Sequence, residues 1–421
     1  MVNMTEKNES DPNPLQEIVV MREPIFDKKK DVFAYELLFK GGLWKITGET
    51  NGPKPGKNVE DDSPARTAET LLINGLKRLS GGKRMVIHFN RQMLLSEFPF
   101  MFPSNLLGIE IQEDADPEKK INKAVEKIKK SGYLVVVTDN VFNEGDIELV
   151  KMADIVGVDF RSHGIRKRFS LFEGNPLNPR FLARGLETPS DFQLASEAGY
   201  HYFQGAFFSK ADMISFRDIP SYKINLMRIL KEINKPSVQF DKIEKILRKD
   251  VSITYKLLRF INSAFFGFKT TVQSIRHSLT LLGESEVRKW LSFIVLSSIG
   301  TDKPLELIRT TIIRAKFCES AAAELHYTNE LVQFFLMGML SMVDAFLDRP
   351  MEEILADWPL VSPVKAALLG EPNHFRAILD LVIAYERGEW DCLLEIAAEF
   401  ELKEQQIAAL YIEALEWGKF L

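Results

Sequence analysis

LLGIEIQEDADPEKKINKAVEKIKKSGYLVVVT, residues 106–138, decides the fold of the N-terminal half. Two short apolar runs, LLGIEI and YLVVVT, flank a charged stretch whose apolar residues recur at the spacing of an amphipathic helix. We expect that helix to end at Gly132, because glycine readily adopts the backbone conformation that stops a helix. Brief runs rich in β-branched residues suit strands buried on both faces, so the pattern predicts a parallel sheet with helical crossovers.

The same alternation of apolar runs and helical stretches extends from about Ile18 to Lys210, with further runs MVIHF (85–89) and DIVGVDF (154–160). A segment rich in glycine and proline, Gly41–Ser63, interrupts it and is predicted to be a long loop. Residues 1–15 are polar and acidic, without the basic start and apolar stretch of a secretion signal, so we expect a disordered tail.

The character of the chain changes after Arg217. Apolar residues then recur at spacings of three and four, as in KINLMRILKEI (223–233) and FDKIEKILRKD (240–250), which predicts an all-helical second half. Asp250 is placed to cap one helix at its N-terminus, and Gly283 to end another. The predicted domains are therefore residues 1–217 and 218–421.

Composition excludes several classes of function. The 421 residues carry a formal net charge of −5, which argues against a nucleic-acid partner, because binding to nucleic acid relies on clustered lysine and arginine. The basic stretch RSHGIRKR (161–168) is interpreted as a solvated surface. The two cysteines, Cys318 and Cys392, lie far apart and predict neither a zinc site nor a disulfide framework. No apolar run reaches the ~18 residues of a membrane helix, so we expect a cytoplasmic protein without a membrane partner.

Five segments of the first half occur in the order found in EAL-type cyclic-di-GMP phosphodiesterases, which the chain resembles over about 200 residues. That resemblance implies a modified TIM-like barrel. In the family, hydrolysis depends on oxygen ligands around two divalent cations and on a nearby lysine. The matching segments are MREPIF with YELLFK (21–26 and 35–40), VIHFN (86–90), IEIQED (109–114), VVVTDN (135–140) and YFQGAFFSK (202–210).

Several positions keep the family's residue types. By the resemblance, Glu36 corresponds to the first metal-binding glutamate, and Glu110 is expected to face the barrel interior rather than Glu113. Asp139 corresponds to one of two adjacent aspartates that share the cations. Glu187 and Gln204 also match.

Other positions depart from the family. Lys40 replaces a phosphate-binding arginine and loses its planar fork, so it is only a weak candidate for ligand binding. His88 replaces an asparagine and is either a poor ligand for magnesium or a barrel histidine hydrogen-bonded to its neighbours. Thr138 replaces the second aspartate, and Gly157 replaces the lysine that would orient water or stabilise developing charge.

These departures lead to a prediction about function. With one shared carboxylate missing, the repulsion between two dications would be poorly compensated, so we expect no metal and no catalysis. The hypothesis is a bacterial signalling scaffold that acts through protein contacts and needs no cofactor. The alternatives are a cyclic-di-GMP sensor without hydrolysis and a residual phosphodiesterase, which alone would require Mg or Mn.

The second half resembles the HDOD family, a helical output module related to HD-type phosphohydrolases. Asp250, the run LLRFINSAFFG (257–267) with Asn262, and the run SIRHSLTLLG (274–283) carry this resemblance. True HD enzymes bind metal through an adjacent histidine and aspartate at a helix end, where this chain has Ser341 and Met342. Asp344 lies two residues too late. The remaining histidines are dispersed and are predicted to be structural: His277, His326 and His374.

Overall fold

The computed structural model describes residues 19–40, 75–96, 98–111, 120–138, 147–161, 179–211, 221–235, 238–248, 250–263, 272–356 and 358–420. Several predictions fall outside these residues: the tail at 1–15, the loop Gly41–Ser63, Asp139, Glu113 and the boundary at Arg217.

Eight strands close into a barrel in sequence order, which confirms the predicted N-terminal fold class. Short apolar segments form the strands, and amphipathic helices such as Lys120–Lys130 cover their outer faces. The strands are β1 (Val20–Phe26), β2 (Val32–Phe39), β3 (Arg84–His88), β4 (Leu107–Ile111), β5 (Leu134–Thr138), β6 (Ile155–Asp159), β7 (Arg180–Arg184) and β8 (Tyr202–Gln204).

The predicted parallel sheet is wrong only at β1, which runs antiparallel to both β2 and β8. The connection from β1 to β2 spans only residues 27–31, which is too short for a helical crossover. Asp27 stabilises this turn, because its carboxylate accepts hydrogen bonds from the backbone N–H groups of Lys29 and Asp31. All other neighbouring strands pair in parallel.

The second half is helical throughout the residues described, as predicted. Asp250 caps its helix by accepting a hydrogen bond from the backbone N–H of Ile253 at 3.0 Å, and Gly283 interrupts a longer helix with φ of +74°. No described helix is both long enough and apolar enough to cross a membrane. The helices of the barrel half are Arg91–Leu95, Lys120–Lys130, Ile147–Met152 and Pro189–Glu197. Those of the second half are Ser221–Ile233, Phe240–Leu247, Val251–Ile261, Ile275–Ile299, Leu305–Glu324, Leu331–Leu340, Val343–Leu347, Met351–Leu355, Ser362–Leu368, His374–Arg387, Trp390–Glu399 and Glu404–Trp417.

The two halves meet through a buried polar contact on the outer face of β1 and β2. The hydroxyl of Tyr35 donates to the carboxylate of Glu306 at 2.7 Å and accepts from the guanidinium of Arg309 at 3.0 Å. Arg22 stacks over the Tyr35 ring, and Tyr385 donates to the carbonyl of residue 20 at 2.8 Å. Because an unpaired polar group in such a seam is costly, these contacts hold the barrel and the helices in one arrangement.

Candidate functional site

A polar layer lies above the apolar interior of the barrel, with one residue from each strand. Side chains on a strand alternate between its two faces, so the residue two positions from an interior apolar residue also faces inward. The interior apolar core includes Ile25, Ala34, Val86, Val136, Ile155, Leu182 and Tyr202. The polar layer consists of Glu23, Glu36, His88, Glu110, Thr138, Gly157, Arg184 and Gln204.

Arg184 is the central cation of the polar layer. One of its terminal nitrogens, Nη2, donates a hydrogen bond to the carboxylate of Glu110 and lies 3.4 Å from the carboxylate of Glu36. Both carboxylates are almost completely buried. Uncompensated buried charges are strongly destabilising, so the guanidinium stabilises the two buried carboxylates inside the barrel.

Gln204 provides the second set of hydrogen bonds. Its Nε2 donates to Glu36 at 2.6 Å and to Glu23 at 2.9 Å. The other amide atom of this residue, Oε1, is buried and has no hydrogen-bond partner among the described residues. The amide therefore presents its donor side to the carboxylates, whereas a metal ligand would present its oxygen.

The pKa values of the layer reflect its surplus of carboxylates. Burial and the neighbouring Glu36 carboxylate raise the pKa of Glu23 to about 7, although Arg184 and Gln204 partly offset the rise. Burial alone would lower the pKa of Arg184, but the carboxylates of Glu36, Glu110 and Glu23 raise it above its ordinary value. The pKa of Arg184 therefore keeps this residue charged, while the pKa of Glu23 lies near neutral pH.

Gly157 makes room for Arg184. A Cβ atom at position 157 would lie 2.8 Å from Nε of Arg184, closer than real contacts of this kind allow. The two residues come from adjacent strands, since β6 and β7 pair in parallel. The position that resembles the family's lysine is thus a glycine whose missing side chain leaves space for a guanidinium from the next strand.

A pair of divalent cations does not fit this arrangement. Glu36 and Glu110, the carboxylates that resemble metal ligands, already share a guanidinium, and a metal ion between them would be repelled by it. Within the described ranges, no group of three His, Cys, Asp or Glu side chains is arranged to hold a metal ion. Mg²⁺ prefers a shell of oxygen ligands, whereas here the carboxylate oxygens of Glu36 and Glu110 already face a guanidinium.

The remaining candidates from the sequence have separate places. Lys40 forms an ion pair of 2.7 Å with Glu404 in the last long helix, and Glu187 forms one of 2.6 Å with Arg161 on the surface. His88 and Thr138 lie in the polar layer, and Oγ1 of Thr138 is buried without a partner among the described residues. Whether Lys40 contributes to ligand binding stays a prediction.

The helical half has its own charged pair beside the segment that resembles the HD metal position. Arg314 binds one carboxylate oxygen of Glu386 through Nε at 2.9 Å and Nη2 at 2.5 Å, and its Nη1 donates to the hydroxyl of Ser341 at 3.0 Å. Met342 packs in the core, and its sulfur accepts from the hydroxyl of Thr311. Burial raises the pKa of Asp344, despite opposing backbone hydrogen bonds.

Sequence reasoning missed two members of the polar layer, Glu23 and Arg184. Both were within reach of a simple rule: Arg184 is two residues beyond interior Leu182, and Glu23 is two residues before interior Ile25 on the reversed strand. Arg184 lies three residues before Glu187, which the family resemblance does locate. The sequence indicated that Gly157 replaces the family's lysine, but it did not indicate that Arg184 brings a cation to the same layer.

Comparison with known proteins adds relatives for both halves. Residues 219–347 match the model of the HDOD domain. The uncharacterized protein YuxH of Bacillus subtilis is 31% identical over 409 residues, which cover 95% of this chain and 98% of the relative. The cyclic di-GMP phosphodiesterase CdgJ of Vibrio cholerae is 29% identical over 403 residues, covering 95% of this chain and 92% of that protein.

One solved structure similar to the barrel half is a standalone EAL protein from Vibrio cholerae O395 in its c-di-GMP-bound form. It is 21% identical, covers 46% of this chain and 91% of its own, and has a TM-score of 0.31.

Proposed function

Because the chain belongs to the family of bacterial two-domain proteins in which an EAL-type barrel precedes an HDOD domain, we propose that it is a catalytically inactive signalling scaffold. It acts through protein contacts, and the partner binds the helical half. The barrel serves as a rigid platform, with the domain boundary near Arg217. We place the protein in the cytoplasm, which agrees with the two free cysteines, Cys318 and Cys392.

The observation that carries the proposal is the guanidinium of Arg184 between Glu36 and Glu110. Metal-assisted phosphodiester cleavage requires a cation that binds phosphate and water through open coordination positions. A guanidinium has no such positions and cannot make a bound water nucleophilic. In the polar layer Nη2 of Arg184 donates to buried Glu110 and lies near Glu36, so the charge stabilises the fold.

The seam between the halves supports the role of a platform. Tyr35, Glu306 and Arg309 form a buried polar contact whose members satisfy one another, so separating the halves would expose unpaired groups. A barrel held in this way cannot rotate freely against the helices. It can therefore present the helical half to a partner in a fixed orientation.

A residual phosphodiesterase is the second candidate, and similarity to the cyclic di-GMP phosphodiesterase CdgJ favours it. Glu36, Glu110 and Gln204 would carry over to that activity, but Arg184 would first have to leave the space between the two glutamates. A sensor that binds cyclic-di-GMP without hydrolysing it is the third. The three functions differ in measurable ways: a phosphodiesterase turns over cyclic-di-GMP, a sensor binds it without turnover, and a scaffold does neither.

Hydrolysis of cyclic-di-GMP by the full chain, assayed in Mg²⁺ and in Mn²⁺, tests the proposal. We expect no turnover by the wild type and none by Glu36→Ala. Turnover that Glu36→Ala abolishes would establish the residual enzyme instead. Calorimetric titration with cyclic-di-GMP separates the sensor, since saturable binding without turnover would favour it over a scaffold that takes no nucleotide.

A further inference from the structure

We propose that Arg184 is a built-in replacement for metal, and that a neutral residue at this position turns the polar layer into a divalent-metal site. The inference rests on the proposed function, because it assumes that the wild-type layer holds no metal. It goes further by assigning the exclusion of metal to one side chain. The ligand class is a divalent cation that accepts oxygen donors, with Mn²⁺ as the probe.

The first argument is charge. Arg184 is a cation shared by Glu36 and Glu110, and both glutamates are almost completely buried. Without the guanidinium, two carboxylates would face each other in a low-dielectric interior, with Glu23 beside them. Such a group is stabilised by taking up a cation from solution.

The second argument is a set of oxygen atoms that could act as metal ligands. Oε1 of Gln204 and Oγ1 of Thr138 are buried and have no hydrogen-bond partner among the described residues. Both belong to the layer that contains Glu36 and Glu110. A rotation of the Gln204 amide would direct its oxygen to the centre, and oxygen atoms are the ligands that Mn²⁺ and Mg²⁺ prefer.

The third argument is space. Gly157 lacks the side chain that would collide with Nε of Arg184, so this part of the barrel is fitted to the guanidinium. That nitrogen is itself buried without a partner among the described residues, which shows that charge pairing rather than complete hydrogen bonding holds the arginine here. A shorter neutral residue would leave a space at the centre of the layer beside two carboxylates.

The test is titration of the full chain with Mn²⁺ in the absence of nucleotide. Arg184→Met removes the charge with a side chain of similar length, and Arg184→Gln provides the same test while retaining donors for the carboxylates if the methionine variant does not fold. We expect no saturable binding by wild type and one Mn²⁺ per chain for the folded variant. We also expect the melting temperature of the variant, but not of wild type, to rise with Mn²⁺.

Two controls separate a metal site from a general effect of charge. Arg184→Met combined with Glu110→Gln should lose the Mn²⁺ binding gained by the single variant. Arg314→Met, the same substitution in the helical half, leaves only Glu386 and should bind none. Stoichiometric Mn²⁺ in wild type overturns the inference, as does its absence from both Arg184→Met and Arg184→Gln. Neither result depends on nucleotide hydrolysis, so failure here is distinct from failure of the proposed function.

Discussion

Arg184 in the barrel and Arg314 in the helical half both lie where resemblance to a hydrolase family would lead one to look for metal ligands, but their charges are balanced differently. Arg314 meets one carboxylate, Glu386, and the hydroxyl of Ser341, so each of its nitrogens has an acceptor. Arg184 faces Glu36 and Glu110 with Glu23 nearby, and its Nε has no acceptor among the described residues.

The difference shows two ways in which a buried arginine can be paired with carboxylates. In the helical half, the pair of charges is balanced and the neighbouring Met342 belongs to the apolar core. In the barrel, Arg184 faces two buried carboxylates and compensates their charge only in part. The barrel should therefore respond strongly to changes in charge, and the helical half should not.

The largest expected effect is that of Arg184→Met on stability. It removes the guanidinium that Glu36 and Glu110 share, and breaking a buried ion pair from one side costs about 3–5 kcal/mol of unfolding free energy. Arg314→Met should cost less, because it leaves only one carboxylate. Chemical denaturation of both variants, without divalent metal, measures the difference, and equal losses would contradict the comparison.

Glu23→Gln should stabilise the protein at alkaline pH. In the folded state the pKa of Glu23 is raised from 4.5 to about 7, so the protonated form is favoured and wild type loses stability as pH rises from about 4.5 to 7. The amide cannot ionise, and since Glu23 is partly exposed we expect a gain of about 1–3 kcal/mol above pH 7. The gain should vanish below about pH 4.5. Unfolding curves across this range would contradict the assignment if the difference were independent of pH.

Asn262→Ala should destabilise the helical half by about 1–3 kcal/mol. The amide nitrogen of Asn262 donates to the carbonyls of Leu258 and Val272 at 2.8 Å, and its oxygen accepts from the backbone of Val272 at 2.7 Å. These bonds tie the end of one helix to the start of the next segment. Thermal melting measures the loss, and an unchanged melting temperature with loss of a captured partner would make Asn262 a contact residue.

Tyr35→Phe should have the smallest effect, about 1–2 kcal/mol, because it removes one hydroxyl from the seam while Arg309 still pairs with Glu306. Limited proteolysis between the halves offers a direct measurement. Faster cleavage without a change in the Mn²⁺ response would place the effect at the seam, whereas a change in that response would show that the seam and the polar layer are coupled.

The local pattern of apolar residues was sufficient to predict most strands of the barrel. The apolar runs around Val86, Ile109, Val136 and Val156 became β3 to β6, since short β-branched segments between helices have few other stable arrangements. The reversed direction of β1 was not predicted from the pattern of apolar runs, because it depends on the length of one turn. The family resemblance located six members of the polar layer.

The interactions across the barrel were beyond reach of the sequence. Arg184 lies 74 residues from Glu110 in the chain, and only closure of the barrel brings β7 opposite β2 and β4. Likewise, the place of Lys40 in a motif made it a weak candidate for ligand binding, while its ion pair with Glu404 depends on how the halves pack. Motif position predicts which face a residue occupies, but its partner depends on tertiary contacts.

The most direct test of the central claim is a crystal structure of the wild-type protein grown with Mn²⁺, with an anomalous difference map at the manganese edge. We predict the guanidinium of Arg184 between Glu36 and Glu110, with no anomalous peak there and none at Ser341–Asp344. A manganese peak between the two glutamates, with the Arg184 side chain displaced from them, would contradict the account.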